Sequence, residues 1–542
     1  MNPAPDYDAL RASFRWDIPA RYNIGLDVCD RWALSEPDRP AIHEVGADGA
    51  RATLTYGALR DRACRLAGAL ARRGIGRGDR VAILLPQSAT VAVAHVAAYR
   101  LGAIAVPLAV LFGADALAYR LTDAGARAVI TNAAGLAKLA PLRAGLPGLE
   151  LLVSTDGPEG DAQGLDRLTA ETPPDHAAAD TGPDDPALMI YTSGTTGPPK
   201  GALHGHRVLL GHLPGFAMMH AMFPGAPPRP DDLHWTPADW AWAGGLLNVL
   251  LPALHHGSAV IAKKFEKFEP EAALALIARE GVRNLFMPPT ALRMLRGVEA
   301  PRRRFDLSRL VTLASAGEAL GAETSAWARE ALGLAVNEAY GQTECNLVIA
   351  SSAALGVARP GATGRPVPGH AVAVLRPDGA PCAVDEVGDI AVHRPDPVMF
   401  LGYWNRPEAT AQKFAGDWMT TGDQARLDAD GYVHFVGRED DLITSAGYRI
   451  GPGEVEECLM RHPAVALAAV VGKRDRLRTE IVKAFVVLGP GHAPSEGLAA
   501  EIRGFVRDRL SGHEYPREIA FREALPMTTT GKIIRRALRD EA

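Results

Sequence analysis

Short apolar runs alternate with helix-spaced apolar positions through the first 340 residues. Val81-Leu85, Ala128-Thr131, Leu151-Ser154, Leu188-Thr192, Ala259-Ala262, Asn284-Met287 and Leu310-Ser315 read as buried strands. Between several of them lie Ala- and Leu-rich segments such as Glu271-Glu280 and Glu323-Leu332, whose apolar residues recur at helical spacing. Strand alternating with helix implies parallel sheets covered by helices. The stretch 155–186, rich in Gly, Pro, Asp and Ala, reads as a surface connection. From Gly361 the pattern changes. Ala371-Leu375, Ile390-His393 and Tyr432-Val436 are short strands broken by Pro-Asp-Gly, Asp-Glu-Val-Gly and Asp-Ala-Asp-Gly turns, which predict a small antiparallel barrel. A fresh unit follows Gly437: a helix at 453–461, strands at 465–471 and 482–488, a helix at 496–510, and a last helix after Lys532. The predicted class is α/β. A large N-terminal domain (1–437) of stacked parallel sheets with helices carries a small β-barrel, and a smaller, mobile α+β domain (438–542) hinges near residue 440.

Composition narrows the function. A chain of 542 residues exceeds one hydrophobic core, and 47% hydrophobic with 22% charged residues is ordinary for a globular enzyme. A formal net charge of −5 without a basic block argues against nucleic acid as a partner. Cys29, Cys64, Cys345, Cys382 and Cys458 are scattered and odd in number, which favours reduced thiols and a cytoplasmic location. The first residues lack a charged-then-apolar leader pattern. The most apolar region, 81–111, is interrupted by Pro86, His95, Arg100 and Pro107, whereas a spanning helix needs about 20 apolar residues, so no membrane span is expected. Only nine of the 58 basic residues are lysines, so a lysine at a given place is mildly informative.

The candidate chemistry lies in six strings. Tyr191-Thr192-Ser193-Gly194-Thr195-Thr196-Gly197-Pro198-Pro199-Lys200-Gly201 follows the apolar run Ala187-Ile190. Glycines let backbone N–H groups turn toward an anion, hydroxyls add donors and Lys200 adds charge, a set suited to a polyphosphate. It is not the common P-loop, because Gly201 stands where that loop has Ser or Thr. Ala314-Ser315-Ala316-Gly317-Glu318-Ala319, at a strand end, is small enough for a flat base to lie against the backbone. Tyr340-Gly341-Gln342-Thr343-Glu344 offers Glu344, which can approach a triphosphate only through a divalent cation, naturally Mg²⁺. Trp418-Met419-Thr420-Thr421-Gly422-Asp423 carries an aspartate, an acceptor-only group fit for vicinal hydroxyls. Gly437-Arg438-Glu439-Asp440-Asp441-Leu442-Ile443 runs on to Ser445-Ala446-Gly447-Tyr448-Arg449-Ile450. Pro526-Met527-Thr528-Thr529-Thr530-Gly531-Lys532 places a lysine after glycine before the terminal helix, able to offset charge growing at a phosphate.

In this order the six strings resemble those of the adenylate-forming superfamily of acyl-CoA synthetases, luciferases and peptide-synthetase adenylation domains. The resemblance covers the chain from about Thr55 to Leu538. It implies that Thr192, Ser193, Gly194, Thr195, Thr196, Gly197 and Lys200 receive ATP phosphates, and that Gly317, Glu318 and Ala319 border adenine. It also implies that Tyr340 packs near the base with Gly341 and Gln342 in the same nucleotide-binding set, and that Thr343 contacts the α-phosphate. Asp423 would accept from the ribose, Arg438 would stand on the ribose side, and Asp440 would be the hinge. Gly447 would let a strand approach the pantetheine arm of CoA, and Arg449 would sit near the phosphates in one domain orientation. Lys532, with Thr343 and Glu344, would form the catalytic set; Met527 departs from the basic residue common at that place.

The implied reaction joins a carboxylic acid to CoA through an acyl-adenylate, releasing pyrophosphate and AMP. Acetate-activating relatives carry a bulky aromatic where this chain has Gly341, so a larger acid is expected: medium-chain, branched or aromatic, as in the medium-chain acyl-CoA synthetase branch. Trp235, Trp240 and Trp242, three of eight tryptophans, either wall that pocket, Trp242 above all, or form plain core. Rival functions are a ligase that loads a separate carrier protein, a luciferase-like monooxygenase and an inactive adenylate-binding scaffold. The chain ends ten residues after Lys532, which disfavours a fused carrier, and the intact Lys200, Glu344, Asp423, Arg438 and Lys532 disfavour a scaffold. The oligomeric state does not follow from the residues.

Overall fold

The computed structural model describes residues 6–192, 198–223, 231–445, 448–475, 479–510, 514–527 and 533–542, with the side chains of 439, 448 and 449 outside the description. Among these residues the strands form four sheets. An eight-stranded sheet runs in the order Gly402–Tyr403, Lys200–Gly205, Pro186–Thr192, Ile104–Pro107, Arg80–Leu84, Ala128–Thr131, Leu151–Ser154, Gln163–Gly164. Its interior is parallel, as strand–helix alternation predicts, but the edge pairs Pro186–Thr192 with Lys200–Gly205 and Lys200–Gly205 with Gly402–Tyr403 are antiparallel. A nine-stranded sheet runs Arg365–Pro366, Cys345–Ala350, Val336–Gln342, Thr312–Ala316, Asn284–Phe286, Leu233–Trp235, Ala259–Ala262, Pro40–Val45, Arg51–Thr55. It too is parallel within and antiparallel at both ends. Hairpin connections at the edges need no crossover helix, so they can bring two strand ends and their loop to one place.

Helices pack where the apolar spacing places them. Tyr56–Ala71 starts at Thr55, whose hydroxyl accepts from Ala58 N at 3.2 Å, and it packs on Ala89–Arg100, buried at every position but Thr90. Pro270–Glu280 opens on a proline and stops at Gly281, whose φ of +69° a side chain resists. The helix expected over 323–332 is Ala322–Trp327 followed by a π turn, Ala328–Leu332, ending at Gly333. No described helix is long and apolar enough to cross a membrane. All five cysteines are free.

The small antiparallel unit has five strands. Val372–Leu375, Val387–His393, Trp418–Leu427 and Phe414–Ala415 follow one another, and Val433–Arg438 pairs on Trp418–Leu427. The last of these outruns the expected 432–436, because Gly437 and Arg438 still pair, with Gln424 and Asp423. After it, five strands of a separate sheet come entirely from beyond residue 442, with Pro452–Met460, Glu496–Arg507 and Arg535–Asp540 as its helices.

Around Phe216 the large core gathers three histidine rings whose charging burial disfavours. His220 and His234 lie 4.8 and 5.3 Å from the Phe216 ring, and His256 stacks on it at 5.5 Å. Burial pulls His220 and His256 down to about 3 and His234 well below its ordinary value. Unfolded, each ring would titrate near 6.5. The folded-state values are depressed, so stability is whole above about pH 6.5 and is lost as pH falls toward 3, at roughly 1.4 kcal/mol per pH unit for each of the buried rings His220 and His234, and less for the half-buried His256. The melting temperature is therefore expected to drop steadily between pH 6.5 and 5 in a calorimetric pH series; a level profile would contradict neutral rings in the fold.

Candidate active site

The segment Tyr340–Glu344 ends one strand of the nine-stranded sheet, turns, and returns as Cys345–Ala350. Its alternate side chains reach the other two sheets of the large unit. Tyr340 Oη donates to Asp423 Oδ2 at 2.7 Å, and Gln342 Nε2 donates to the same oxygen at 2.5 Å and to Thr421 O at 2.9 Å. Asp423 lies on the five-stranded sheet, and its Oδ1 accepts nothing among the described residues. Asp389, from the neighbouring strand, accepts from Thr421 N at 3.0 Å and Gly422 N at 2.9 Å, which clamps the Thr-Gly-Asp turn. Burial pushes the Tyr340 hydroxyl well up, with the Asp423 charge adding, so it stays a donor.

On the other side, Glu344 accepts a short hydrogen bond at Oε1 from Tyr403 Oη. Tyr403 sits on the strand that edges the eight-stranded sheet, and the Lys200 ammonium lies 5.0 Å from its ring centroid. Burial, then the Glu344 charge, raises the Tyr403 hydroxyl, so it too remains protonated. Lysine, ring and carboxylate are thus stacked at the start of the strand Lys200–Gly205. That strand pairs antiparallel with Pro186–Thr192, and Thr192 lies opposite Lys200. This end of the pair is braced by Tyr119 Oη, which donates to Pro199 O at 2.9 Å, and by Tyr191 Oη, which donates to Asp123 at 2.8 Å.

The base-side string begins as the strand Thr312–Ala316 and turns at Gly317, φ +100°. The carboxylate of Glu318 is held away from the turn: Thr290 Oγ1 donates to it at 2.9 and 3.1 Å and Arg293 Nη1 at 3.0 Å. The Glu318 side chain is therefore tied to the helix Pro289–Leu295, which leaves its backbone at the turn. Arg438 pairs in register with Asp423 and its Nε donates to Asp440 at 3.0 Å. Thr343 lies in the turn between Val336–Gln342 and Cys345–Ala350. Ser193, Gly194, Thr195, Thr196, Gly197, Gly447, Lys532 and the side chain of Arg449 lie outside the described residues.

Two pocket expectations gain detail. Trp235 and Trp240 are fully buried core, whereas Trp242 is half-buried, edge-on to Phe112 at 5.7 Å. Gly341 has a packing reason of its own: a Cβ there would collide with Leu347 N and lie 2.6 Å from Asn346 Cα. Leu347 holds φ +59°, a strained value for a branched side chain, in the same return turn. Any larger residue at 341 requires that turn to move.

Sequence reasoning missed Tyr403, Asp389 and Lys413. Lys413 Nζ donates to Thr421 O at 3.3 Å and Gln342 Oε1 at 3.5 Å. Its being one of nine lysines was the available signal. Tyr403 had none, because its role comes from a strand pairing remote in sequence.

A divalent cation fits this site in one way. Among the described residues no group of three His, Cys, Asp or Glu side chains could enclose a metal, so a cation would rest on Glu344 Oε2, which accepts no hydrogen bond there, and on substrate oxygens. That is the habit of Mg²⁺, which keeps water and phosphate ligands beside one or two carboxylates.

Comparison with known proteins identifies the family. The model of the AMP-binding enzyme family matches residues 29–404, and that of the AMP-binding enzyme C-terminal domain matches 454–532. The chain is similar to the uncharacterized acyl-CoA ligase YtcI of Bacillus subtilis (strain 168), 34% identical over 96% of each chain. It is also similar to the mitochondrial acyl-coenzyme A synthetase ACSM3 of Mus musculus, 32% identical over 98% of this chain and 93% of the relative. The crystal structure of the anthranilate CoA ligase AuaEII in complex with anthranoyl-AMP matches with a TM-score of 0.89 at 29% identity, covering 97% of this chain and 98% of that one. The chain belongs to the AMP-binding, adenylate-forming enzymes. Within that family it is an AMP-forming acid–thiol ligase.

Gly341→Ala tests the crowded turn. The added methyl meets backbone rather than a flexible side chain, so a loss of about 1–3 kcal/mol is expected in denaturant unfolding, with weaker ATP use. Unchanged stability and activity would show that the turn yields freely.

Proposed function

We propose that this chain activates a carboxylic acid larger than acetate with ATP and passes the acyl group to CoA. The supporting observation is that one five-residue segment, 340–344, faces a ribose-type acceptor at Asp423 and a cation–carboxylate stack at Lys200, Tyr403 and Glu344. A nucleoside triphosphate has two such ends, sugar on one side and phosphates on the other. The acid's carboxylate oxygen attacks the α-phosphorus, forming the acyl–phosphate bond while the bond to pyrophosphate breaks. Lys200 and the loop 193–199 bind the phosphate oxygens, and Asp423 with Arg438 holds the ribose. Mg²⁺, when bound at Glu344, supplies charge neutralisation between carboxylate and phosphates. Lys532 offsets the negative charge that grows on the reacting and leaving oxygens. The CoA sulfur then attacks the acyl carbon, the carbon–oxygen bond to AMP breaks, and the thiol proton passes to solvent.

The same reading assigns residues 1–437 and 438–542 to two domains that pivot at Asp440. The strand Val433–Arg438 belongs to the five-stranded sheet by pairing, whereas Asp441 is bonded by Arg539 Nη2 at 2.9 Å, from the terminal helix, which leaves residues 439 and 440 between the two anchors. The acyl pocket is read near Gly341 and the half-buried Trp242, favouring medium-chain, branched or aromatic acids; the likeness to an anthranilate CoA ligase supports the aromatic end of that range.

Pyrophosphate release measured over a panel of acids, with and without CoA, tests the reaction. Acid-dependent release, CoA-dependent turnover and an optimum above acetate are expected; acetate as best substrate would remove the pocket argument. Lys532→Ala should slow adenylation by about 10²–10³, the usual cost of one preorganised charged donor, and leave thioester formation from supplied acyl-adenylate much less affected. Equal losses in both half-reactions would overturn the role given to Lys532.

A further inference from the structure

Lys413 stands behind the Thr-Gly-Asp turn in a position that the proposed chemistry does not use. Its backbone is fixed, because Thr420 N donates to Lys413 O at 2.7 Å and Thr420 Oγ1 at 3.2 Å. Its side chain is half-buried and pairs with no carboxylate among the described residues; its two partners are the neutral oxygens Thr421 O and Gln342 Oε1. Burial lowers the amine from its ordinary value, while Glu344, Asp423 and Asp389 draw it back up. An ammonium placed there without an ion pair costs stability, so its contacts need a purpose.

Those contacts close a triangle. Lys413 Nζ donates to Thr421 O and to Gln342 Oε1, and Gln342 Nε2 donates to Thr421 O at 2.9 Å. A glutamine amide can turn over and exchange its donor and acceptor ends. With the ammonium on one side and the Asp423 carboxylate on the other, only one orientation suits both. Turned over, the NH₂ would face the ammonium and the carbonyl would face Asp423, two repulsive contacts at once.

We propose that Lys413 is a positioning residue for nucleotide recognition: it fixes the Gln342 amide so that Gln342 and Tyr340 saturate Oδ2 of Asp423 and leave Oδ1 aimed at the ribose. The proposal rests on the reading of Asp423 as the ribose acceptor. Lys413 touches no reacting atom in this account. Its positive charge also offsets the mutual repulsion of Asp389, Asp423 and Glu344, three carboxylates lining a site that must admit a polyanion.

The discriminating readout is the penalty for 2′-deoxyATP relative to ATP, measured as the ratio of KM values in acid-dependent pyrophosphate release. A ribose hydroxyl bonded to a charged group accounts for roughly ten-fold or more in affinity, so the wild-type protein should show a penalty of that size and Asp423→Ala should erase it. In Lys413→Met the penalty is expected to shrink to within about three-fold, with KM for ATP raised more than kcat is lowered. Gln342→Met, which removes the relay and keeps the lysine, should relax the ratio in the same way and serves if Lys413→Met fails to fold. If either folded variant raises KM for both nucleotides equally and keeps the wild-type ratio, Lys413 acts on the phosphates or on the fold alone and the proposal falls. A wild-type protein without the penalty, or one whose penalty survives Asp423→Ala, is a different result: there the ribose reading fails first and takes the proposal with it.

Discussion

One carboxylate oxygen joins two sheets in this protein. Asp423 Oδ2 receives Tyr340 Oη and Gln342 Nε2 together, so the end of one strand of the nine-stranded sheet is bolted to the five-stranded sheet at the place proposed for the sugar. Two residues further on, Glu344 receives Tyr403 Oη and fastens the same segment to the eight-stranded sheet. Hydrogen bonds to charged groups are the strong ones, each contributing about 1.5–3 kcal/mol. The segment 340–344 is therefore where three sheets converge. Its side chains cannot be rearranged for binding without loosening the architecture.

Each residue type in the segment has a contact to match. Tyr340 and Gln342 point to one neighbour, and Glu344, beyond the strand end, reaches the other. Gly341 lies between them against the returning backbone of Asn346 and Leu347, which leaves no space for a Cβ. A glycine expected from sequence to widen the pocket is, in the folded chain, a condition for the turn to close. Lys413, without an ion pair among the described residues, suits the same logic, because a cation near three carboxylates steadies them.

The order of elements was legible because apolar runs and turn residues report burial directly. Ala128–Thr131, Leu151–Ser154 and Ala259–Ala262 fall where their apolar runs stand. The antiparallel edges were not legible. A buried strand reads the same in either direction, and pairing partners such as Tyr403 with Ala202 are far apart in the chain. The helix predicted over 323–332 fractures into an α and a π segment, because periodicity near 3.6 does not resolve one extra residue per turn.

By itself the sequence determined the alternation of strand and helix and the six strings whose residue types suit phosphate, sugar, cation and acyl transfer. Those depend on local chemistry: glycine for close backbone, lysine for charge, aspartate for paired acceptors. Only the tertiary structure decided which oxygen of Asp423 is occupied, that Glu318 turns its carboxylate to Arg293, and that Tyr403, Asp389 and Lys413 belong with the motifs. The physical reason is that hydrogen-bond direction and sheet pairing are set by distances across the fold. A linear chain records which groups are present and leaves open which of them meet.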